Sequence, residues 1–192
     1  AGDLYDADWR GGVTRIHPTG TQTASLGHEI DGEALTPNGV ALRADGSFLI
    51  AHLGAQTGGV FVLERDGRVQ ALLRTVDGLD LPPTNFVLPD ARGRLWITVS
   101  TRRTPRALGY RHDAVDGFVV LVDARGARIV AVGPGYTNEC LVDRAGAFLY
   151  DNETFGRPVS RFAIRPHGSP GARETVNTFV AGTFPLIGSA PA

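Results

Sequence analysis

Three asparagines recur in one local frame, and each could offer an amide oxygen to a hard cation. Counting from Asn138, a glycine stands eight residues on (Gly146) and an apolar pair ten and eleven on (Phe148 and Leu149). Asn85 has Gly93 and Leu95-Trp96 at the same offsets, and Asn38 has Gly46 and Phe48-Leu49. The frames lie 47 and then 53 residues apart, near the ~40–50 residues of one four-stranded propeller blade. Asparagine carbonyls facing a central channel are hard-cation ligands, and calcium is the natural occupant. The competing reading is that each asparagine caps a turn through its own backbone, a common use of the residue.

The elements that must position them are strands. Each frame reads as strand, tight turn, strand, loop and third strand. The turns Asp45-Gly46, Asp90 to Gly93 and Asp143 to Gly146 pair a side-chain acceptor with a residue that accepts positive φ. One such unit is too thin to bury its own apolar face, so units must stack. Third strands are expected at 12–16, 59–64, 117–123 and about 158–162, and outer strands at 21–26 and 174–180. No helical stripe of useful length appears. The chain is therefore expected to be all-β, a single β-propeller domain over 1–192. Its units fall near 1–33, 38–80, 85–133 and 138–183, with an irregular tail at 184–192. The first unit lacks its innermost strand, which would lie upstream of Ala1.

Direction alternates strand by strand in a blade. The start of an innermost strand and the loop between its second and third strands thus share one end. That places Asn38, Asn85 and Asn138 at one mouth under the loops 52–58, 101–115 and 152–157. Asn38 at the mouth, and His52, Arg102, Arg103, Asn152 and Glu153 on those loops, are candidate substrate-side residues. Asp151 could supplement a metal site with the last two. Arg106 and Arg111 share the long loop with Arg102 and Arg103, where arginines clamp carboxylate or phosphate or simply face water. Cys140 reads as core packing, since no histidine has a defined relation to it. Ser100 lacks a nucleophile elbow. No catalytic residue is assigned.

Composition narrows the partners. The chain has 192 residues, a net charge of −1, 25 glycines and 12 prolines, which fits one turn-rich β core and gives no sign of a nucleic-acid or membrane partner. A lone cysteine excludes an intrachain disulfide framework. There is no apolar run that would span a bilayer and no signal-peptide pattern, so a cytoplasmic location is favoured. With no methionine in the chain, Ala1 is not expected to be the translational start.

Longer motifs add a family resemblance. Pro83-Thr-Asn-Phe-Val-Leu-Pro-Asp-Ala-Arg-Gly-Arg-Leu-Trp96 resembles the Asn-Asp…Asp-x-x-Gly-x-x-Trp segment of the senescence marker protein/gluconolactonase/regucalcin-like family. Tyr136-Thr-Asn-Glu-Cys-Leu-Val-Asp143 and Glu153-Thr-Phe-Gly-Arg-Pro-Val-Ser-Arg-Phe162 resemble its next blade, and Thr36-Pro-Asn-Gly-Val-Ala-Leu-Arg-Ala-Asp-Gly46 an earlier one. The resemblance implies a six-bladed propeller, of which about four blades are present. It implies a channel metal held by a Glu, two Asn and an Asp, and hydrolysis of sugar lactones and related esters.

Carried over residue by residue, the two metal asparagines are Asn85 and Asn138. Asn38 matches a blade that gives no ligand. The glutamate would lie upstream of Ala1. Phe184-Pro185 is followed by Leu186, where the family has its aspartate, and Pro83 stands where it has a substrate-contacting arginine. Two neutral amides replace a dication's hydration poorly, so calcium binding is expected in about the millimolar range of the weakest calcium modules. The expectation is a calcium-dependent lactone or ester hydrolase of the gluconolactonase type, truncated and weak or inactive. The alternatives are a non-catalytic propeller used as a binding platform, and an inactive fragment. Uncovered blade faces would favour self-association.

Overall fold

The computed structural model describes residues 2–180 except 28 and 31. The expectations for Phe184, Pro185 and Leu186 lie outside the described residues. The chain forms two compact units, Ala1–Val87 and Leu88–Ala192.

The first unit opens with a three-stranded sheet of β1 (Leu4–Asp8), β2 (Gly12–Ile16) and β3 (Gln22–Leu26). A four-stranded sheet follows in chain order: β4 (Pro37–Leu42), β5 (Phe48–His52), β6 (Val60–Leu63) and β7 (Val69–Leu73). A hairpin of β8 (Thr75–Val76) and β9 (Leu79–Asp80) comes next. It was not expected, although Asp77-Gly78 is a hairpin signal, and both residues take positive φ (49° and 77°).

The boundary between the units falls inside β10 (Phe86–Pro89), which starts the sheet completed by β11 (Leu95–Val99), β12 (Phe118–Asp123) and β13 (Gly126–Val132). The last sheet is β14 (Thr137–Val142), β15 (Phe148–Glu153), β16 (Pro158–Ile164) and β17 (Pro170–Thr178). β17 starts four residues before the expected 174, because the turn closed by Gly168 (φ 86°) brings Pro170 straight back onto Ile164. The long loop between β11 and β12 carries one 3-10 turn, Arg106–Gly109. Among the described residues no helix is long and apolar enough to cross a membrane.

The middle strands are the dry ones. Every residue of β5 and β6 is buried, as are the first four of β12. Their runs of Val, Ile, Leu and Phe fit strands covered on both faces. In the first unit Val13, Leu35, Phe48, Ile50 and Leu63 form one cluster, joined by Tyr5, Ile30, Val40 and Val69. The outer strands β3, β7 and β17 are mostly exposed.

The inner hairpin turns work as the residue types demand. Asp45 Oδ1 accepts the Ser47 amide at 3.0 Å, and Asp143 Oδ1 accepts those of Ala147 and Phe148 at 2.7 and 2.9 Å. Asp90 does more. Its Oδ1 takes the amides of Arg92 and Arg94 at 2.9 and 3.0 Å, and its Oδ2 takes Arg94 Nε at 2.6 Å and Trp96 Nε1 at 3.0 Å. Burial alone would raise the Asp90 pKa, but the bonds from Trp96 and Arg94 outweigh it and hold the carboxyl below its usual value. Removing this carboxylate orphans a buried guanidinium and an indole N–H. Asp90→Ala is therefore expected to destabilise the protein by about 3–5 kcal/mol. Denaturant unfolding checks this, and a loss under about 1 kcal/mol would show the turn to be merely solvated.

Candidate functional site

The strands place the predicted groups at the loop ends of their own units. In the first unit, β4 and β5 slip register between Pro37 and Val40, and Asn38 sits in that bulge. In the second, β14 and β15 slip between Thr137 and Cys140, and Asn138 sits there. Bulges re-aim a side chain and are frequent beside binding sites. Asn85 lies just before β10. Neither bulge was visible in the spacing, since both asparagines keep the same offsets to the turn beyond.

Asn38 and Asn85 are brought together. Asn38 Nδ2 donates to Asn85 Oδ1 at 2.9 Å and to Asn85 O at 2.8 Å. The contact requires β4 to approach closely, and Gly39 allows it: a Cβ there would stand 2.7 Å from Phe86 Cα. Asn38 is thus a positioning group for the Asn85 amide.

His52 ends β5 fully buried. Its Nδ1 accepts the Thr36 amide at 3.0 Å, which leaves the proton of the neutral ring on Nε2. Nε2 stands 4.0 Å from Glu33 Oε2, too far for a hydrogen bond. Burial lowers the imidazole pKa despite the opposing pull of Glu33. Glu33 was missed in the sequence. Its carboxylate straps the loop after β5, taking the Ala55 amide at 2.5 Å and Thr57 Oγ1 at 2.7 Å.

The second unit gathers more. The backbone carbonyl of Asn138 accepts Thr98 Oγ1 at 2.5 Å, tying β14 to β11. Arg102 lies over the Phe118 ring at 4.4 Å, and Arg103 Nε stands 3.3 Å from Asp116 Oδ2. The same loop sends Tyr110 against Tyr136 and Phe155, with ring centroids 5.4 Å from each and 5.0 Å between the latter two. Tyr136 has φ 64°, a strained conformation for a bulky residue, and its hydroxyl accepts Arg106 Nη1 at 3.3 Å. No periodic signal pointed to this aromatic group, because its members come from three separate segments.

Below it lie three buried residues in sequence, Asp151, Asn152 and Glu153. Glu153 is committed: Oε2 takes the Gly135 amide, and Oε1 takes Ser160 Oγ at 2.9 Å and Arg173 Nη2. Asp151 is half used. Thr137 Oγ1 donates to its Oδ1, while Oδ2 is buried with no hydrogen-bond partner. Burial, with the Glu153 charge adding to it, pushes its pKa up to about 8, against the Thr137 bond and the Arg173 charge. It faces Cys140 across the β14–β15 ladder. That thiol is itself buried, and its pKa is raised well above normal by burial and by Asp151 and Glu139, the condition of an inert core cysteine.

Among the described residues no group of three or more His, Cys, Asp or Glu could hold a metal ion. The amide oxygens of Asn85 and Asn138 are neutral donors that fall in separate units. That donor set does not fit a tightly held dication, whose affinity depends on ligand charge.

No family model matches the chain, and no curated protein matches its sequence. Solved structures do match. A gluconolactonase from Xanthomonas campestris aligns with TM-score 0.72 and 19% identity, over 90% of this chain and 58% of its own. A calcium-binding protein, regucalcin, from Agrobacterium tumefaciens gives 0.63 and 18%, over 91% and 57%. A nidogen/laminin complex contains a chain at 0.62 and 13%, over 92% and 61%. The fold is thus an all-β propeller, and the namesakes of the resemblance are among its structural neighbours. The chain spans roughly three fifths of those chains, and at this identity the likeness shows the fold alone.

Two outcomes test the geometry. The Asp151 pKa is raised above its unfolded value of about 3.9, so the folded state holds a proton that the unfolded state has lost. Stability should fall as pH rises from about 4 to 8, by up to about 1.4 kcal/mol per unit from this group. Urea unfolding across that range should show the slope, and Asp151→Asn should flatten it; an unchanged slope in the variant refutes the assignment. Gly39→Ala should cost about 1–3 kcal/mol by forcing β4 off Phe86. It should also change the Asn38 side-chain amide resonance, and an unperturbed resonance would deny the close approach.

Proposed function

We propose that the chain is a propeller hydrolase of the gluconolactonase type, acting on a sugar lactone or related ester, with a weak calcium requirement. The observation that carries the reading is the repeated placement of an asparagine in the first-strand bulge, together with the Asn38 amide that orients Asn85. The fold likeness to a gluconolactonase supports it. Asn85 and Asn138 are each proposed to offer an amide oxygen to the cation. Bound calcium would polarise a carbonyl or an attacking water.

The chain's own residues have separable roles. Asn38 fixes which way the Asn85 oxygen faces. Glu33 holds the loop after His52 in place. Tyr110, Tyr136 and Phe155 supply an apolar wall. Glu153 holds the backbone at Gly135 rather than a substrate. Asp151 is fully buried, with its unpartnered oxygen shut away from solvent, so it is not the base for an attacking water.

A second reading rests on the aromatic group. Tyr110 is 46% exposed beside Arg106, and rigid aromatics with arginine are common anchors of binding surfaces. A non-catalytic platform would use them without chemistry.

The experiment is a lactone-hydrolysis assay on the 192-residue chain paired with thermal unfolding in calcium. Stabilisation should appear only near ~1–10 mM calcium. Hydrolysis should appear with it, and both should be lost in Asn85→Ala. Calcium stabilisation without hydrolysis would select the platform. Hydrolysis unaffected by chelator would overturn the calcium assignment.

A further inference from the structure

The ends of the second unit's strands opposite the loops carry an unexpected concentration of positive charge around a cavity. An open cavity of about 640 Å³ lies between the β10–β11, β12–β13 and β16–β17 turns, lined among others by Arg92, Arg94, Asp123, Arg125, His167 and Gly168. A second cavity of about 310 Å³ shares Arg92 and Arg94 with it. Neither touches a residue used in the proposed function.

The charges do not cancel. Asp90 answers Arg94 at 2.6 Å, and Arg128 answers Asp123 at 2.7 Å. Arg125 also binds Asp123, at 3.0 Å, but that carboxylate is already shared. Arg92 is exposed, and its guanidinium makes no hydrogen bond or ion pair among the described residues. Arg125 also donates to the His167 carbonyl beside the first cavity, and the Arg92 guanidinium lies against the Gly146 turn of the second, so these turns keep an excess of positive charge.

Arg94 backs the cavity wall. It is only 8% exposed, and its Nη2 is buried with no hydrogen-bond partner. Its Nη1 reaches to 3.4 Å from where a Cβ of Gly168 would stand, with Arg125 Nη2 at 3.6 Å from the same point. A bare glycine therefore lets two guanidinium groups converge on the β16–β17 turn. Planar guanidinium groups lining a basic pocket match the oxygens of a phosphate group. The volume is of small-molecule size.

We propose that this pocket binds the phosphate of a soluble phosphorylated small molecule, through Arg92, Arg94 and Arg125. The site is independent of the loop-end chemistry, so each can fail alone.

Inorganic phosphate and glucose 6-phosphate are titrated into the full chain at constant ionic strength, with chloride as the control and thermal unfolding and calorimetry as readouts. Saturable stabilisation by both phosphates and not by chloride is expected. Arg92→Ala should weaken binding roughly tenfold or more, the loss of one charge-assisted contact. The Arg92 guanidinium has no partner among the described residues, so this variant should fold as the parent does. Arg68→Ala removes an equal charge from an exposed turn of the first unit and should bind like the parent. Equal weakening in both variants, or no saturable response in the parent, overturns the proposal. So does sedimentation with phosphatidic acid vesicles while neither soluble phosphate binds.

Discussion

The hydrogen bonds that one aspartate carboxylate accepts from the amides just after it set the register of each inner hairpin. Asp45, Asp90 and Asp143 all do this. In a strand a slip of one residue turns every side chain to the opposite face. Phe48, Trp96 and Leu149 stay buried because the turn beside them does not slip. With the turn end pinned, any mismatch accumulates at the far end. The extra residue is absorbed where Asn38 and Asn138 stand, which is why the bulges fall there.

The two ends of the second unit's sheets differ in chemistry. The loop end joins an edge-to-face aromatic group to a buried acid–hydroxyl network. In that network Glu153 is fully partnered, and Asp151 keeps one oxygen without a donor. A satisfied buried carboxylate fixes geometry, whereas an unsatisfied one takes a proton. The turn end is basic, and its aspartates are consumed by arginines within the same hairpins. One scaffold thus carries an apolar, acid-backed surface and a cationic one at opposite strand ends.

Much of the fold was legible because its signals are local. The offset of eight to glycine and ten to an apolar pair located three inner hairpins, and the β-rich runs located their third strands to within a residue or two. Asp77-Gly78 carried the signal for the small hairpin, and it went unread. The candidate site was less legible, since it is built from long-range pairs. Asn38 meets Asn85 across 47 residues, and Arg173 meets Glu153 across 20. Tyr110, Tyr136 and Phe155 have no period in common. Glu33 gave no motif, because it binds one loop amide and one hydroxyl. Nor does a sequence reveal that Arg94 keeps a buried nitrogen without an acceptor.

The Asn38–Asn85 pair bears on chemical ageing. Asn38 is followed by Gly39, the neighbour that least hinders cyclisation of an asparagine side chain onto the next backbone nitrogen. Deamidation would exchange the donor Nδ2 for a carboxylate oxygen, setting it against the two Asn85 oxygens it now binds. Cyclisation expels ammonia, and water then opens the ring to aspartate or to isoaspartate, whose backbone is one carbon longer; either product loses the two attractions and sets a carboxylate near the Asn85 oxygens. The glycine that permits the close approach is thus also the residue that gives the contact a finite lifetime.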